Sequence, residues 1–128
     1  GAGRFFRQQR ERFLRELEAA VPKWIAEAKA DEQRRTAEFN TGQKSPRSAW
    51  SAYSRWRRKA SPAVLGAIVF YSRYLSGQYV GMSEALDMAA LRFACEAEGI
   101  EVGRWAEVTE ESLTIHRAVT AYVKAKHA

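Results

Sequence analysis

The chain has 128 residues, of which 46% are hydrophobic and 28% charged, enough apolar material for one domain with a core and too much for global disorder. Its net charge of +6 and isoelectric point near 9.8 favour an anionic partner over a basic one. The longest apolar run, Pro62 to Tyr71, is about half of what a membrane span needs and is followed by Arg73, so no membrane association is expected.

Helical periodicity runs through nearly the whole chain, and the residues that break it are few. Gly1-Ala2-Gly3 lacks an initiator methionine and is read as an added remnant outside the fold. From Arg4, apolar residues at Phe6, Phe13, Leu14, Leu17 and Val21 form a stripe, with Glu11–Arg15 and Arg12–Glu16 at i, i+4 spacing. This segment is interrupted by arginine throughout, so no secretory signal is expected. Pro22 begins a second helix or kinks the first, and Trp24, Ile25 and Ala28 form the apolar side of the helical stretch after it. Asn40-Thr41-Gly42 reads as a stop.

Ser45-Pro46 and Ser61-Pro62 are cap-plus-proline pairs, each announcing a helix: one from about Pro46 to Ala60, the next from Pro62 to about Ser76. The latter carries Val64, Leu65, Ile68, Val69, Phe70, Tyr71 and Leu75, and is expected to be the most buried element. Gly77 and Gly81 bracket a turn, Ser83-Glu84 starts a helix ending at Gly99, residues 100–108 connect, and Thr109 caps a last helix reaching toward Lys126. The expected fold is all-α: a single compact bundle of five or six helices over residues 1–128.

Charge along this chain is segregated. Residues 39–83 contain Lys44, Arg47, Arg55, Arg57, Arg58, Lys59 and Arg73 and no carboxylate, a balance of +7, against +2 for residues 1–38 and −3 for residues 84–128. On the helix from Pro46, Arg47, Ser51, Arg55, Arg58 and Lys59 share one face, with Arg57 at its margin beside Trp50. A face kept only for solubility normally mixes signs, so an acid-free one points to a polyanion, nucleic acid first. Trp50, Tyr53 and Trp56 fall on the opposite arc, where their spacing favours packing into the core; Trp56 or Trp50, if exposed, would stack a base. The candidate nucleic-acid-binding residues are therefore Lys44, Arg47, Arg55, Trp56, Arg57, Arg58, Lys59 and Arg73. Single-stranded RNA or DNA is a better match than duplex, and an acidic protein surface is the competing partner.

The residues for catalysis are scarce, and no enzyme is expected. Cys95 sits among Phe93, Ala94 and Ala97, the setting of a buried inert thiol, and as the one cysteine it implies a reducing, cytoplasmic compartment. His116 and His127 are too few and too far from Cys95 to form a metal site, and His116 is expected on a helix surface, with Glu110 or Glu111 as candidate partners. No metal or cofactor is implied; Gly77-Gln78-Tyr79-Val80-Gly81 lacks the lysine and spacing of a phosphate loop. A DNA-reading helix-turn-helix over Ala90–Trp105 is disfavoured, because the helix after the turn offers Arg104 against Glu101, Glu107, Glu110 and Glu111. Those carboxylates make the C-terminal third an acidic counterpart to the basic middle. Either the ends pack within one subunit with their charges solvated, or copies stack head to tail as a homo-oligomer.

Residues 49–76, with Ala52-Tyr53-Ser54, Arg57-Arg58-Lys59, Ser61-Pro62 and the apolar helix ending Tyr74-Leu75-Ser76-Gly77, resemble the small all-helical subunits of CRISPR effector complexes. The resemblance implies a non-catalytic protein, several copies of which sit among other protein subunits. Arg47, Arg55, Arg58 and Lys59 would line a path for guide RNA or displaced strand, through backbone contacts without sequence readout.

Overall fold

A computed structural model describes residues 2–44, 55–77 and 85–127. Among them there is no strand, and five helices pack into one bundle, the all-α architecture expected. They are α1 (Ala2–Thr41), the helical residues 55–59 (α2), α3 (Pro62–Tyr74), α4 (Met88–Ala97) and α5 (Trp105–Lys126), with a 3₁₀ turn over Val102–Arg104.

The first helix is a single element of 40 residues with Pro22 inside it. It begins at Ala2, so Ala2 and Gly3 are helical and exposed. An interior proline removes one backbone hydrogen bond and costs about 3 kcal/mol. Packing on both sides of Pro22 offsets that cost. Leu17 and Val21 are fully buried, Arg10 is anchored to α5 on the N-terminal side, and Trp24, Ile25 and Ala28 share a groove with Val119, Tyr122 and Val123 of α5 on the other. These two sets of contacts also show that α1 and α5 run side by side in the same direction. At Gly42, φ is +69°, and its N–H donates to Glu38 O at 2.9 Å, a left-handed cap that ends α1 at the expected place.

Ser61 caps α3 as its sequence implies: the hydroxyl accepts from Val64 N at 3.2 Å and Pro62 occupies the first turn. The start of α4 differs from expectation. Asp87 is its cap, with Oδ1 accepting from Ala89 N at 2.9 Å, and Ser83-Glu84 lie outside the described residues. Gly99 (φ +69°) ends α4 by a paired cap, with Gly99 N donating to Glu96 O and Ile100 N to Cys95 O. The last helix starts four residues earlier than Thr109, because the Trp105 indole donates to Ile100 O at 2.8 Å and pins the turn there. The Thr109 hydroxyl donates back to Trp105 O and caps nothing.

The expectation that Pro62–Ser76 is the most buried element needs correcting. Val64, Ile68 and Tyr71 of α3 are buried, but Val69 is exposed and Leu65 and Phe70 are half-buried. The hub is α5, which packs on α1, α3, α4 and the 3₁₀ turn and buries Val108, Ser112, Ile115, His116, Val119 and Thr120. His116 is thus inside the molecule and not on the helix surface as expected, and its Nδ1 meets the Tyr71 hydroxyl. Cys95 is buried as expected, and burial, with a smaller effect from Glu96, pushes its thiol pKa up. No described helix is long and apolar enough to cross a membrane.

Candidate nucleic-acid interface

Trp56 decides how the basic segment is displayed. Its ring is only 6% exposed and joins the core, and with Trp24, Leu65 and Ile68 it lines one groove of about 300 Å³. A helix anchored by one residue turns its neighbours outward, since each successive side chain rotates by about 100°. Arg55, Arg57, Arg58 and Lys59 are accordingly all exposed. Trp56 itself is removed from the candidate contacts: a ring packed on this core presents no face to a base. Its role is to hold α2 against α1 and α3.

The other candidates separate. Lys44 is exposed just beyond the end of α1. Among the described residues no carboxylate lies within ion-pair distance of Lys44, Arg55, Arg58 or Lys59. Arg47, Trp50, Ser51 and Tyr53 lie outside the described residues, as does the first part of the expected helix from Pro46. Arg73 does not extend the field as a free cation. Its Nη1 donates to Glu98 Oε1 at 2.6 Å, and the Tyr74 hydroxyl donates to the same oxygen at 2.7 Å. The hydrogen bond from Tyr74, followed by that from Arg73, lowers the Glu98 pKa below the usual carboxylate value. A carboxylate from outside residues 39–83 thus neutralises one of the seven cations that the acid-free stretch supplies.

A second pairing of the same kind borders the same groove as Glu98, which Arg10 and Glu111 also line. Arg10 of α1 reaches the first turns of α5, where Nε donates to Glu110 and Nη1 to Glu111, each at 2.8 Å, and Nη2 donates to Glu107 O at 2.8 Å. The guanidinium donates at once to two carboxylates and a helix carbonyl, and the two bonds to carboxylate are charge-assisted. Sequence spacing does not reveal this clamp, because its partners are about 100 positions apart. Among the described residues, no cluster of three His, Cys, Asp or Glu side chains is arranged to hold a metal.

Periodicity assigns Phe6 to the core stripe of α1, but the residue is 65% exposed, and Phe5 beside it is 55% exposed. At this end Phe6 lines an open groove with Ala106, Glu107 and Glu110 of α5, which leaves its ring uncovered. Comparison with protein-family models, curated proteins and solved structures finds no match to this chain.

Proposed function

We propose that this protein binds the phosphate backbone of nucleic acid without reading sequence, as a non-catalytic helical subunit of a larger nucleoprotein assembly. The observation that carries the reading is the arrangement around Trp56: one buried ring, with Arg55, Arg57, Arg58 and Lys59 exposed around it on a segment that has no carboxylate. Arginine's planar fork suits phosphate oxygens, and Lys44 and Arg47 extend the same charge along the chain. Residue 56 offers no exposed tryptophan to a base, which favours backbone contact over stacking at this segment. The narrower form of the proposal, a subunit of a CRISPR effector complex, is supported by the resemblance of residues 49–76. Docking of the basic helix on the chain's own acidic third is less well supported, since Glu98, Glu110 and Glu111 are already engaged by Arg73 and Arg10.

The test is a fluorescence-anisotropy titration of labelled single-stranded RNA, single-stranded DNA and duplex DNA at low and moderate salt. With four to six phosphate contacts, log affinity should fall against log salt with a slope of about −3 to −5. Arg55→Glu with Arg58→Glu should abolish binding while leaving the far-ultraviolet circular dichroism unchanged. Undiminished binding by the folded double variant would remove these residues from the site. Absence of binding to all three probes at low salt would overturn the function.

A further inference from the structure

The N-terminal turns of α1 combine two exposed aromatic rings with cations of one sign. Phe5 and Phe6 stand edge to face, with ring centroids 5.9 Å apart and planes at 68°. The first carboxylate in the chain is Glu11; before it come Arg4, Arg7 and Arg10. Arg10 is held by Glu110 and Glu111, whereas Arg4 and Arg7 are exposed and have no ion pair among the described residues. The other prominent exposed phenylalanines lack this setting. Phe39 follows Glu38, and Phe93 lies beside the Arg92–Glu96 pair. Only at Phe5 and Phe6, among the described residues, do these uncovered phenylalanine rings coincide with cations that have no ion pair.

We infer that Phe5 and Phe6 form a stacking platform for the bases of a single-stranded nucleic acid whose backbone is held by α2 and by Arg4 and Arg7. This inference rests on the backbone-binding reading above and adds to it the strand type and a second contact point. Flat rings flanked by cations match a ligand that carries flat bases on an anionic chain. The placement along α1 is suitable. Phe6 and Trp24 are eighteen residues apart, about five helical turns, so they fall on the same side of α1 at a separation of about 27 Å. Trp24 lines the groove that holds Trp56, and Phe13, about 10 Å from Phe6, lines another with Pro62 at the end of the basic segment. The rings thus lie about 27 Å along the α1 axis from the level at which Trp24 and Trp56 anchor α2, an interval of about eight nucleotides at a stacked spacing of ~3.4 Å. Phe6 and Arg7 also line an open groove with Glu107 and Glu110. Glu110 is occupied by Arg10, which leaves Glu107 as the repulsive charge at this end.

The experiment compares the full chain with Phe5→Ala/Phe6→Ala, Phe5→Tyr/Phe6→Tyr, Phe5→Leu/Phe6→Leu and Glu107→Gln, titrating oligothymidylates of about 3 to 16 nucleotides. The alanine and leucine pairs should weaken binding of the longer strands at least about fivefold with an unchanged salt slope, because no cation is removed. The tyrosine pair should bind like the parent, duplex affinity should be unaffected, and Glu107→Gln should bind tighter. Unchanged strand affinity in a folded alanine pair, with Arg55→Glu/Arg58→Glu still abolishing binding, would overturn the platform and leave the backbone reading intact. Absence of strand binding by the parent chain would overturn both. If the alanine pair instead loses only self-association, or only binding to vesicles containing anionic lipid, the rings belong to a second copy or to a lipid surface and the inference fails.

Discussion

The phenolic oxygen of Tyr71 lies 2.9 Å from Nδ1 of His116, and neither side chain has any exposed surface. This hydrogen bond ties α3 to the centre of α5, on the face that also buries Ser112 and Thr120 one turn to either side of His116. A polar pair buried this deeply is specific because each partner would be costly to leave alone. Tyr71→Phe removes the hydroxyl while keeping the ring, and is expected to destabilise the fold by about 1–3 kcal/mol in denaturant unfolding. Combining it with His116→Leu should cost less than the two changes summed, because the second substitution removes the orphaned nitrogen. Strict additivity in that double-mutant cycle would show that the two groups are not coupled.

Arg10 is the chief polar link between α1 and the start of α5. Arg10→Met keeps a side chain of similar reach but loses the guanidinium over the Phe13 ring and its hydrogen bonds to Glu111 and the Glu107 carbonyl. The expected loss is about 1–2 kcal/mol, set by charge-assisted hydrogen bonds that are partly open to water. Thermal unfolding at low and high salt should show the difference between parent and variant shrinking as salt rises. A salt-independent difference would assign the effect to packing.

Glu98 links the candidate interface to pH. Its folded-state pKa is depressed, first by the Tyr74 hydrogen bond and then by Arg73, so it contributes stability above its unfolded pKa and loses that contribution as pH falls through the folded value. The parent chain should therefore lose stability below about pH 4.5 more steeply than Glu98→Gln, measured by urea midpoints across the acid range. At neutral pH the same substitution frees Arg73 from its ion pair and should tighten nucleic-acid binding, whereas Arg73→Gln alone should cost less than loss of Arg55 or Arg58. If Glu98→Gln binds no more tightly than the parent, Arg73 lies off the path of the strand.

Local signals place much of this architecture. Ser61-Pro62 and Asn40-Thr41-Gly42 mark helix ends because a cap hydroxyl and a left-handed glycine act within four residues of themselves. The boundaries that differ have the opposite character. Pro22 is overridden by α5 packing along α1 on either side of it, and Thr109 loses its cap position because the Trp105 indole fastens the preceding turn. The fate of the aromatics shows the same division: periodicity marks Trp56 and Phe6 alike as inward-facing, but only Trp56 is buried there by other elements.

By itself the sequence determined the all-α class, the segregation of positive charge into residues 39–83 and the outward display of Arg55, Arg58 and Lys59. Helix periodicity and charge order are properties of neighbouring residues, so they need no tertiary information. Only the tertiary structure decided that Trp56 is a core anchor, that Glu98 and the Glu110–Glu111 pair are committed to Arg73 and Arg10, that His116 is internal, and that Phe5 and Phe6 remain uncovered. Burial and ion pairing depend on which distant segment arrives opposite a side chain, and helical spacing reports the face a residue occupies without reporting what covers it.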